Sequence, residues 1–354
     1  MLLGLTSSVV FFSWWMTGRL CERTSKLCLL DHPNDRSLHD AQTPRSGGVA
    51  ILASALIGLG IAAIGFAVVP PATGFLPKGF ESASNWVLGS IALVATVAFL
   101  DDRSGLPIGF RFAVQAIAAV IVVWGGELTL ASFPIPALKV LVLGWFAAPV
   151  SVLFLLWMTN LYNFMDGVDG LAGGMTVLGF GFLAYFGWRA GHPFMLGAAT
   201  VVSMSALGFL IHNFPPARIF MGDVGSIPLG FTSGILMLLG LRDGLFDVWV
   251  PILIFSPFIL DATVTVLRRA WQRKRLWEAH REHFYQRLVL SGWGHRKTVL
   301  AEYSVMAVCG GFAVLYQDAS EEWRLVILAF WGMLFCSLAL AVKGVEQRIQ
   351  PVGS

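Results

Sequence analysis

Residues 140–188 give the clearest indication of the fold class; they read VLVLGWFAAPVSVLFLLWMTNLYNFMDGVDGLAGGMTVLGFGFLAYFGW. The stretch consists of two long apolar runs separated by NFMDGVDGLAGG, residues 163–174, which carries an asparagine, two aspartates and four glycines. Apolar runs of about 20 residues are typical of helices that cross a membrane. The stretch therefore predicts two transmembrane helices whose polar connection has a functional role.

The composition of the whole chain supports a membrane protein. Of the 354 residues, 56% are hydrophobic and 13% are charged, with a mean hydropathy of +0.73, whereas soluble domains carry roughly 25% charged residues. Helices are expected, because the backbone must satisfy its own hydrogen bonds in lipid. Eleven apolar segments lie near residues 2–17, 47–69, 85–100, 111–124, 139–158, 172–188, 194–212, 227–241, 247–267, 299–316 and 324–342.

We therefore predict an all-α, polytopic integral membrane protein with about 10–11 transmembrane helices and a single domain over residues 1–354. The segment from Met1 to Trp15 has no positive charge before Arg19, so we interpret it as a retained membrane helix rather than a cleaved signal peptide. The four cysteines have neither disulfide-framework nor zinc-site spacing.

Lysine and arginine are distributed unevenly between the two sets of connections. Five of them lie on one set, and the other 19 of the 24 lie on the opposite set. Positive residues concentrate on the cytoplasmic side of membrane proteins. The N-terminus is therefore predicted to be periplasmic and the C-terminus cytoplasmic. On the cytoplasmic side then lie the polar connections 37–48, 99–111, 160–174, 214–226 and 268–298.

Aspartates in two of these connections indicate a cation site. Asp101 and Asp102 directly follow the apolar run IALVATVAFL, and adjacent carboxylates repel each other unless a cation or a proton intervenes. Asp223 lies between glycines in MGDVGS, where backbone N–H groups can face an anion. The alternative for the aspartate pair is a solvated helix end. Aspartate oxygens with few soft ligands favour Mg²⁺ or Mn²⁺.

A third connection adds Asn163, Asp166 and Asp169. In a helix, residues three apart share one face, so these three side chains are expected on the same side. The alternative is a polar turn between two membrane spans. Because a Mg²⁺ site rarely uses five protein carboxylates, some of these groups must do other work, such as holding a sugar hydroxyl or a base.

The connection 268–298 supplies the opposite charge. Its first five basic residues suit an anchor for lipid headgroups. His280 and His283 suit phosphate contact or proton transfer, and Arg287 suits phosphate contact. Phe284 and Tyr285 beside them can contact a base or sugar ring. Together, the acidic site, the basic connection and the membrane indicate phosphate chemistry on a lipid-borne substrate.

At this point the motifs resemble a known family. FLDD, NFMDGVDGLAGG, IFMGDVGS and a histidine motif after the ninth span are similar, in order and spacing, to the polyprenyl-phosphate N-acetylhexosamine-1-phosphate transferases, the WecA-, MraY- and TagO-like enzymes of glycosyltransferase family 4. The resemblance covers residues 37–296. It implies a bundle of ten or eleven helices in the bacterial inner membrane, with an Mg²⁺-dependent active site on the cytoplasmic face.

The resemblance also implies a reaction. An N-acetylhexosamine 1-phosphate of the GlcNAc, FucNAc or QuiNAc type would pass from a UDP-sugar to undecaprenyl phosphate, with release of UMP. The expected partners are UDP-N-acetylhexosamine, undecaprenyl phosphate and the lipid bilayer, with no nucleic acid; a homodimer stays open.

Roles are carried over residue by residue from the family's motifs. Asp101, Asp102 and His283 are expected to be catalytic. Asp223, together with Asp102, is expected to bind the metal. The substrate-binding residues are expected to be Asn163, Asp166 and Asp169 from the nucleotide-sugar motif, and, from the chemistry of the basic connection rather than from the family, His280 and Arg287.

The histidine motif departs from that of some relatives. WecA-like members read HxHH and MraY-like members read HHH, whereas the aligned stretch here is HFYQ from His283. This argues against an MraY enzyme. The form REHFYQRL resembles the WbpL-like branch, which initiates O-antigen and related glycan chains.

A transporter or flippase with an ion-coupled acidic site is the main alternative. Transporters place charged residues near the middle of the bilayer on broken helices, whereas these acids lie at segment ends on one face. The aspartate spacings of CDP-alcohol phosphotransferases and aromatic prenyltransferases are absent from the sequence.

The uneven distribution of positive charge predicts a testable topology. A reporter fused after Ser354 is expected in the cytoplasm, and one inserted in the loop 189–193 is expected in the periplasm. Alkaline phosphatase and green fluorescent protein fusions report the two sides. The opposite location for either fusion would contradict the predicted orientation.

Overall fold

The computed structural model of the chain describes residues 2–22, 29–31, 42–68, 80–136, 138–275 and 280–349. Residues 37–41 of the predicted site connection 37–48, and residues 276–279 of the connection 268–298, lie outside these ranges.

The described residues form an α-helical bundle. The α-helices are α1 (Leu2–Leu20), α2 (Gly47–Val68), α3 (Phe80–Ser104), α4 (Ile108–Gly125), α5 (Ala147–Phe164), α6 (Leu171–Arg189), α7 (Pro193–Asn213), α8 (Asp223–Arg242), α9 (Trp249–Trp271), α10 (Phe284–Leu288), α11 (Gly294–Asp318) and α12 (Glu321–Ile349). A 3₁₀ turn, Gly144–Phe146, precedes α5, and the segment Val289–Trp293, whose backbone is non-helical at Ser291 and Gly292, joins α10 to α11.

The prediction of an all-α polytopic membrane protein is confirmed. Each of the eleven predicted apolar segments overlaps a helix. Ten stretches of the described residues are long and apolar enough to cross a membrane. The first predicted segment forms α1, which is not one of these ten and packs along α7 and α2.

Three local predictions need correction. The helix expected from residue 139 begins at Ala147, because Val140–Val142 forms strand β4, which pairs antiparallel with β3 (Ser132–Pro134). A second short pair joins β1 (Leu30–Asp31) to β2 (Thr43–Pro44). Asp101 and Asp102 do not follow α3 but lie inside its last turns, since the helix continues to Ser104. Asp166 and Asp169 lie in a non-helical turn between α5 and α6.

Helix α8 is the centre of the bundle. Of its membrane-spanning residues, 89% are buried inside the protein, whereas only 6% of those of α12 are. Helices α3, α5 and α2 all pack against α8. The position of the N-terminus of α8 relative to these helices therefore sets the geometry of the polar residues around Asp223.

Helices α2 and α8 approach each other backbone to backbone. A Cβ atom added to Gly48 would lie 2.2 Å from the amide nitrogen of Gly225 and 2.3 Å from its Cα. Two further hydrogen bonds fix the start of α2, from Gly47 N to Phe220 O at 3.0 Å and from Gly48 N to Met221 O at 2.8 Å. Small residues at helix contacts permit this approach, which brings the TPRSGG motif against the loop before Asp223.

A single methyl group at this contact is expected to destabilise the protein. Gly48→Ala should lower the free energy of unfolding by about 1–3 kcal/mol, because the backbone of α8 must move. Gly60→Ala on the same helix is the control, since nothing lies within 4 Å of its added Cβ. Thermal unfolding in detergent measures both. Equal melting temperatures for the two variants would contradict the close contact.

Candidate active site

Acidic and amide side chains from three helix ends and one turn meet at one end of the bundle, where they form an acidic cluster. Asp101 and Asp102 come from the end of α3, Asn163 from the end of α5, and Asp223 from the start of α8. Asp166 lies in the turn between α5 and α6, within electrostatic range of Asp102 and Asp223. The structure thus brings together five of the residues predicted from the motifs.

Asp102 holds the end of α3 against the start of α8. Its Oδ2 accepts a hydrogen bond from the amide of Val224 at 2.8 Å. The N-terminus of a helix carries free N–H groups and partial positive charge, which favour a carboxylate there. Gly222 makes the approach possible: its φ is +73°, and an added Cβ would lie 2.9 Å from Oδ2 of Asp102.

Asn163 ties the end of α5 to the same place. Its Nδ2 donates to Oδ1 of Asp223 at 2.8 Å and to Oγ of Ser226 at 3.0 Å. The role expected for Asn163 was contact with the nucleotide sugar. Its observed contact orients the carboxylate of Asp223, so the amide forms part of the acidic cluster itself.

Two arginines that the sequence analysis did not select balance the carboxylates. Arg111, in the first turn of α4, bonds Oδ2 of Asp101 and also donates to Oδ2 of Asp223 at 3.1 Å. Arg45 donates to the backbone carbonyl of Asp102, and its Nε lies 3.8 Å from Oδ1 of the same residue. Both arginines lie within motifs quoted above, FLDDRSGLPIGFR and TPRSGG. Their presence there was the only signal that could have selected them.

Asp101 has both carboxylate oxygens engaged. Oδ1 accepts a hydrogen bond from the amide of Leu106 at 2.6 Å, and Oδ2 pairs with Arg111. Asp101 therefore fixes the connection between α3 and α4 and anchors a guanidinium. The two adjacent aspartates thus have different partners, and Asp102 is the one directed at the start of α8.

Asp166 is half-buried in the turn after α5. Burial, together with the negative charges of Asp223, Asp102 and Asp169, raises the pKa of Asp166 well above its usual range. The repulsion expected from closely placed carboxylates is therefore present around this turn, and a cation would relieve it.

Asp169 has partners of its own outside the acidic cluster. Its Oδ2 accepts from the amide of Ala217 at 2.9 Å, and its Oδ1 lies 3.1 Å from Nδ1 of His295 at the start of α11. The expectation that Asp166 and Asp169 share a helix face does not hold, because the chain turns between them. His295 was not selected from the sequence, since nothing in its neighbourhood distinguished it.

The histidine segment, residues 280–288, packs onto α9. His283 is buried, and its Nδ1 lies 3.0 Å from Oδ1 of Asp261. Asp261 also accepts the amides of Phe284 and Tyr285, at 3.0 and 3.2 Å. Asp261 was missed, although a carboxylate within the apolar run PILIFSPFILDATVTVL is a recognisable signal.

This segment reaches the acidic cluster through the end of α5. The hydroxyl of Tyr285 donates to the carbonyl of Phe164 at 2.9 Å, next to Asn163. The ring of His283 stacks on Phe164, with centroids 6.3 Å apart, and lies 4.9 Å from the ring of His280. Burial and the nearby charges of His283 and Arg269 lower the pKa of His280 to about 4, so its imidazole is neutral at physiological pH.

Four basic residues of the connection 268–298 have acidic partners within the protein. Arg287 forms two hydrogen bonds with Glu346 of α12, at 2.6 and 2.5 Å, and its guanidinium lies 5.0 Å from the ring centroid of Phe284. Arg287 was expected to contact substrate, and the structure places it in this ion pair instead. Glu282 in turn pairs with Arg268, Arg269 and Lys274.

The acidic cluster does not by itself supply a complete set of metal ligands. In the part of the chain that the structure describes, no three Asp, Glu, His or Cys side chains are arranged to hold a metal ion. Mg²⁺, however, is commonly held by one or two carboxylates together with substrate phosphates. Asp102 and Asp223, side by side at a helix N-terminus, supply hard oxygen ligands of that kind.

Comparison with known proteins identifies the relatives of this chain. Residues 85–241 match the family described as Glycosyl transferase family 4. A probable undecaprenyl-phosphate N-acetylglucosaminyl 1-phosphate transferase of Bacillus subtilis is 32% identical over 92% of this chain and 88% of its own. A decaprenyl-phosphate N-acetylglucosaminephosphotransferase of Mycobacterium leprae is 30% identical, over 85% and 80%. A phospho-N-acetylmuramoyl-pentapeptide-transferase of a Synechococcus species is 30% identical, over 77% and 78%.

Asp261 is expected to stabilise the histidine segment. Asp261→Asn should lower the free energy of unfolding by about 1–3 kcal/mol, because an amide cannot accept from all of these donors. Thr265→Val is the control, since it removes only one donor to Asp261, at 3.2 Å. Hydrogen exchange of residues 283–288 and thermal unfolding provide the measurements. Unchanged exchange in the Asp261 variant would contradict this role.

Proposed function

The chain belongs to glycosyl transferase family 4, and we propose that it transfers an N-acetylhexosamine 1-phosphate from a UDP-sugar to undecaprenyl phosphate, releasing UMP. The observation that carries this proposal is the meeting of Asp102, Asn163 and Asp223 from three helix ends at one end of a membrane bundle. The Bacillus subtilis and Mycobacterium leprae relatives, named as N-acetylglucosamine phosphate transferases of undecaprenyl and decaprenyl phosphate, support the same reaction class.

The two phosphate-bearing substrates would meet at this end of the bundle. An oxygen of the lipid phosphate attacks the β-phosphorus of the UDP-sugar, and the bond between that phosphorus and the oxygen of UMP breaks. Phosphoryl transfer depends mainly on positioning and on charge stabilisation. The rigid attachments of Asp102 to α8 and of Asn163 to Asp223 suit this requirement.

Asp223 and Asp102 would hold Mg²⁺ or Mn²⁺. The cation would stabilise the negative charge that develops on the pyrophosphate. Both residues offer carboxylate oxygens at the N-terminus of α8, and this donor set fits a hard divalent cation.

Asp102 is the better candidate than Asp101 for accepting a proton from the lipid phosphate. Both oxygens of Asp101 are engaged by Leu106 and Arg111, whereas Asp102 adjoins Asp223. A strong base is not needed here, since a phosphate monoester with a second pKa of about 6 is largely ionised at neutral pH.

The remaining residues divide into two groups. Asn163, Asp166 and His280 would border the nucleotide sugar, with the ring of Phe164 beside them. His283 is buried against Phe164, and we propose a role for it beside the substrate phosphates. Asp169 and Arg287, whose side chains bond His295 and Glu346, would act by holding the surrounding segments in place.

We also propose the setting of this reaction. The acidic end of the bundle would face the cytoplasm in the bacterial inner membrane, because the positively charged connections lie there. The product would begin an O-antigen or related cell-surface polysaccharide, as the REHFYQRL form of the histidine segment suggests. The sugar is of the GlcNAc, FucNAc or QuiNAc type, with UDP-GlcNAc the first to test.

The reaction is tested directly with purified protein, undecaprenyl phosphate and a panel of these UDP-sugars. We expect UMP and a lipid-linked pyrophosphate sugar, formed only with Mg²⁺ or Mn²⁺. Asp223→Asn is expected to lower turnover about 10²–10³-fold, because it removes a charge that compensates the cation. Asp318→Asn is the matched control, since Asp318 pairs with Arg189 at the other end of the bundle.

Two results would contradict the proposal. Release of UDP instead of UMP would mean that the sugar–phosphate bond is the one broken. Full activity of Asp223→Asn, in protein that remains folded by size-exclusion chromatography, would exclude the acidic cluster as the active site.

A further inference from the structure

Both oxygens of Asp223 already have side-chain partners. Oδ1 accepts from Nδ2 of Asn163 at 2.8 Å, and Oδ2 accepts from Nη1 of Arg111 at 3.1 Å. The proposed function assigns a divalent cation to this same carboxylate. A guanidinium and a divalent ion on one carboxylate oxygen would repel each other strongly at such short range. The repulsion acts on the charged partner, Arg111, and not on the neutral amide of Asn163.

Arg111 is the partner that can leave. Its side chain is 27% exposed and reaches Asp223 on a long flexible stem from the first turn of α4. Asn163, by contrast, is short and is also held by Ser226. Arg111 also has a second attachment, to Asp101, which the amide of Leu106 fixes in turn. The guanidinium can release Asp223 without losing its place in the site.

We propose that Arg111 and the divalent cation compete for Asp223, and that displaced Arg111 stays on Asp101 and turns its guanidinium towards the phosphates of the nucleotide sugar. The first part concerns this chain's residues and the cation alone, and the second rests on the proposed function. A guanidinium binds phosphate oxygens through paired N–H donors, so Arg111 exchanges one anionic partner for another.

The competition predicts that a variant without the positive charge of Arg111 binds the cation more tightly than the native protein. Mn²⁺ binding to the purified protein without nucleotide sugar is measured by the electron paramagnetic resonance signal of free Mn²⁺. Arg111→Gln should tighten Mn²⁺ binding about tenfold, because a competing positive charge is gone. Arg111→Lys keeps the charge and should stay within about twofold of the native affinity.

Two further variants locate the effect. Arg103→Gln removes a positive charge from an exposed position in the last turn of α3, and Mn²⁺ affinity should not change. Asp223→Asn should remove the binding that Arg111→Gln strengthens. Unchanged or weaker Mn²⁺ binding in Arg111→Gln would overturn the competition. So would tightening that persists when Arg111→Gln is combined with Asp223→Asn, since the ion would then be bound elsewhere.

A second measurement uses the native protein and does not depend on the folding of a variant. Phenylglyoxal modifies accessible guanidinium groups, and peptide mass spectrometry reads each arginine separately. Saturating Mn²⁺ should increase the rate of modification at Arg111, because its contact with Asp223 is released, and should leave the rate at Arg103 unchanged. An equal or slower rate at Arg111 with Mn²⁺ would overturn the proposal.

Failure of the competition and failure of the proposed function give different results. If the native protein forms no lipid-linked pyrophosphate sugar but Arg111→Gln tightens Mn²⁺ binding, the competition stands and the proposed function falls. If the native protein forms the product while Arg111→Gln binds Mn²⁺ no more tightly, the proposed function stands and the competition falls.

Discussion

The hydrogen bond from the amide of Val224 to the carboxylate of Asp102 is the contact on which the polar end of the bundle depends. It joins the end of α3 to the start of α8, the most buried helix. A carboxylate at a helix N-terminus is stabilised by free N–H groups and by the helix dipole. Because this bond fixes two helix ends, Asp101, Arg111 and Asp223 come within reach of one another. The space for Asp102 exists only because residue 222 is glycine.

Charge balance is the second constraint. A group of carboxylates at the edge of a membrane is unstable unless cations accompany it. Arg111 and Arg45 provide that balance within the protein. The proposed chemistry needs a divalent cation at the same carboxylates. At least one of these arginine–carboxylate contacts must therefore be replaceable by a contact with the cation. The long, partly exposed side chain of Arg111 suits exchange, whereas the short Asn163 suits permanent orientation of Asp223.

The sequence predicted the helices and the clustering of the acids, but not the pairs that hold them. Apolar segment length is a local property, so each of the eleven segments could be found without knowing its neighbours. The motifs containing Asp102, Asn163 and Asp223 were also local and lay on one predicted side. Arg111 and Asp223, by contrast, are 112 residues apart, and no local pattern reports that α4 and α8 converge. For Asp166 and Asp169 the sequence left a helix and a polar turn open, because spacing alone cannot distinguish them, and the structure shows the turn.

We propose that Asp223 and Asp102 form the cation site of this membrane bundle. Anomalous diffraction from crystals grown with Mn²⁺ and a UDP-sugar locates the ion independently of the protein map. We expect a Mn²⁺ peak in bonding contact with a carboxylate oxygen of Asp223 and adjacent to Asp102. A peak beside Asp261 and His283, or beside Asp243 and Asp247 at the other end of the bundle, with none at Asp223, would contradict it.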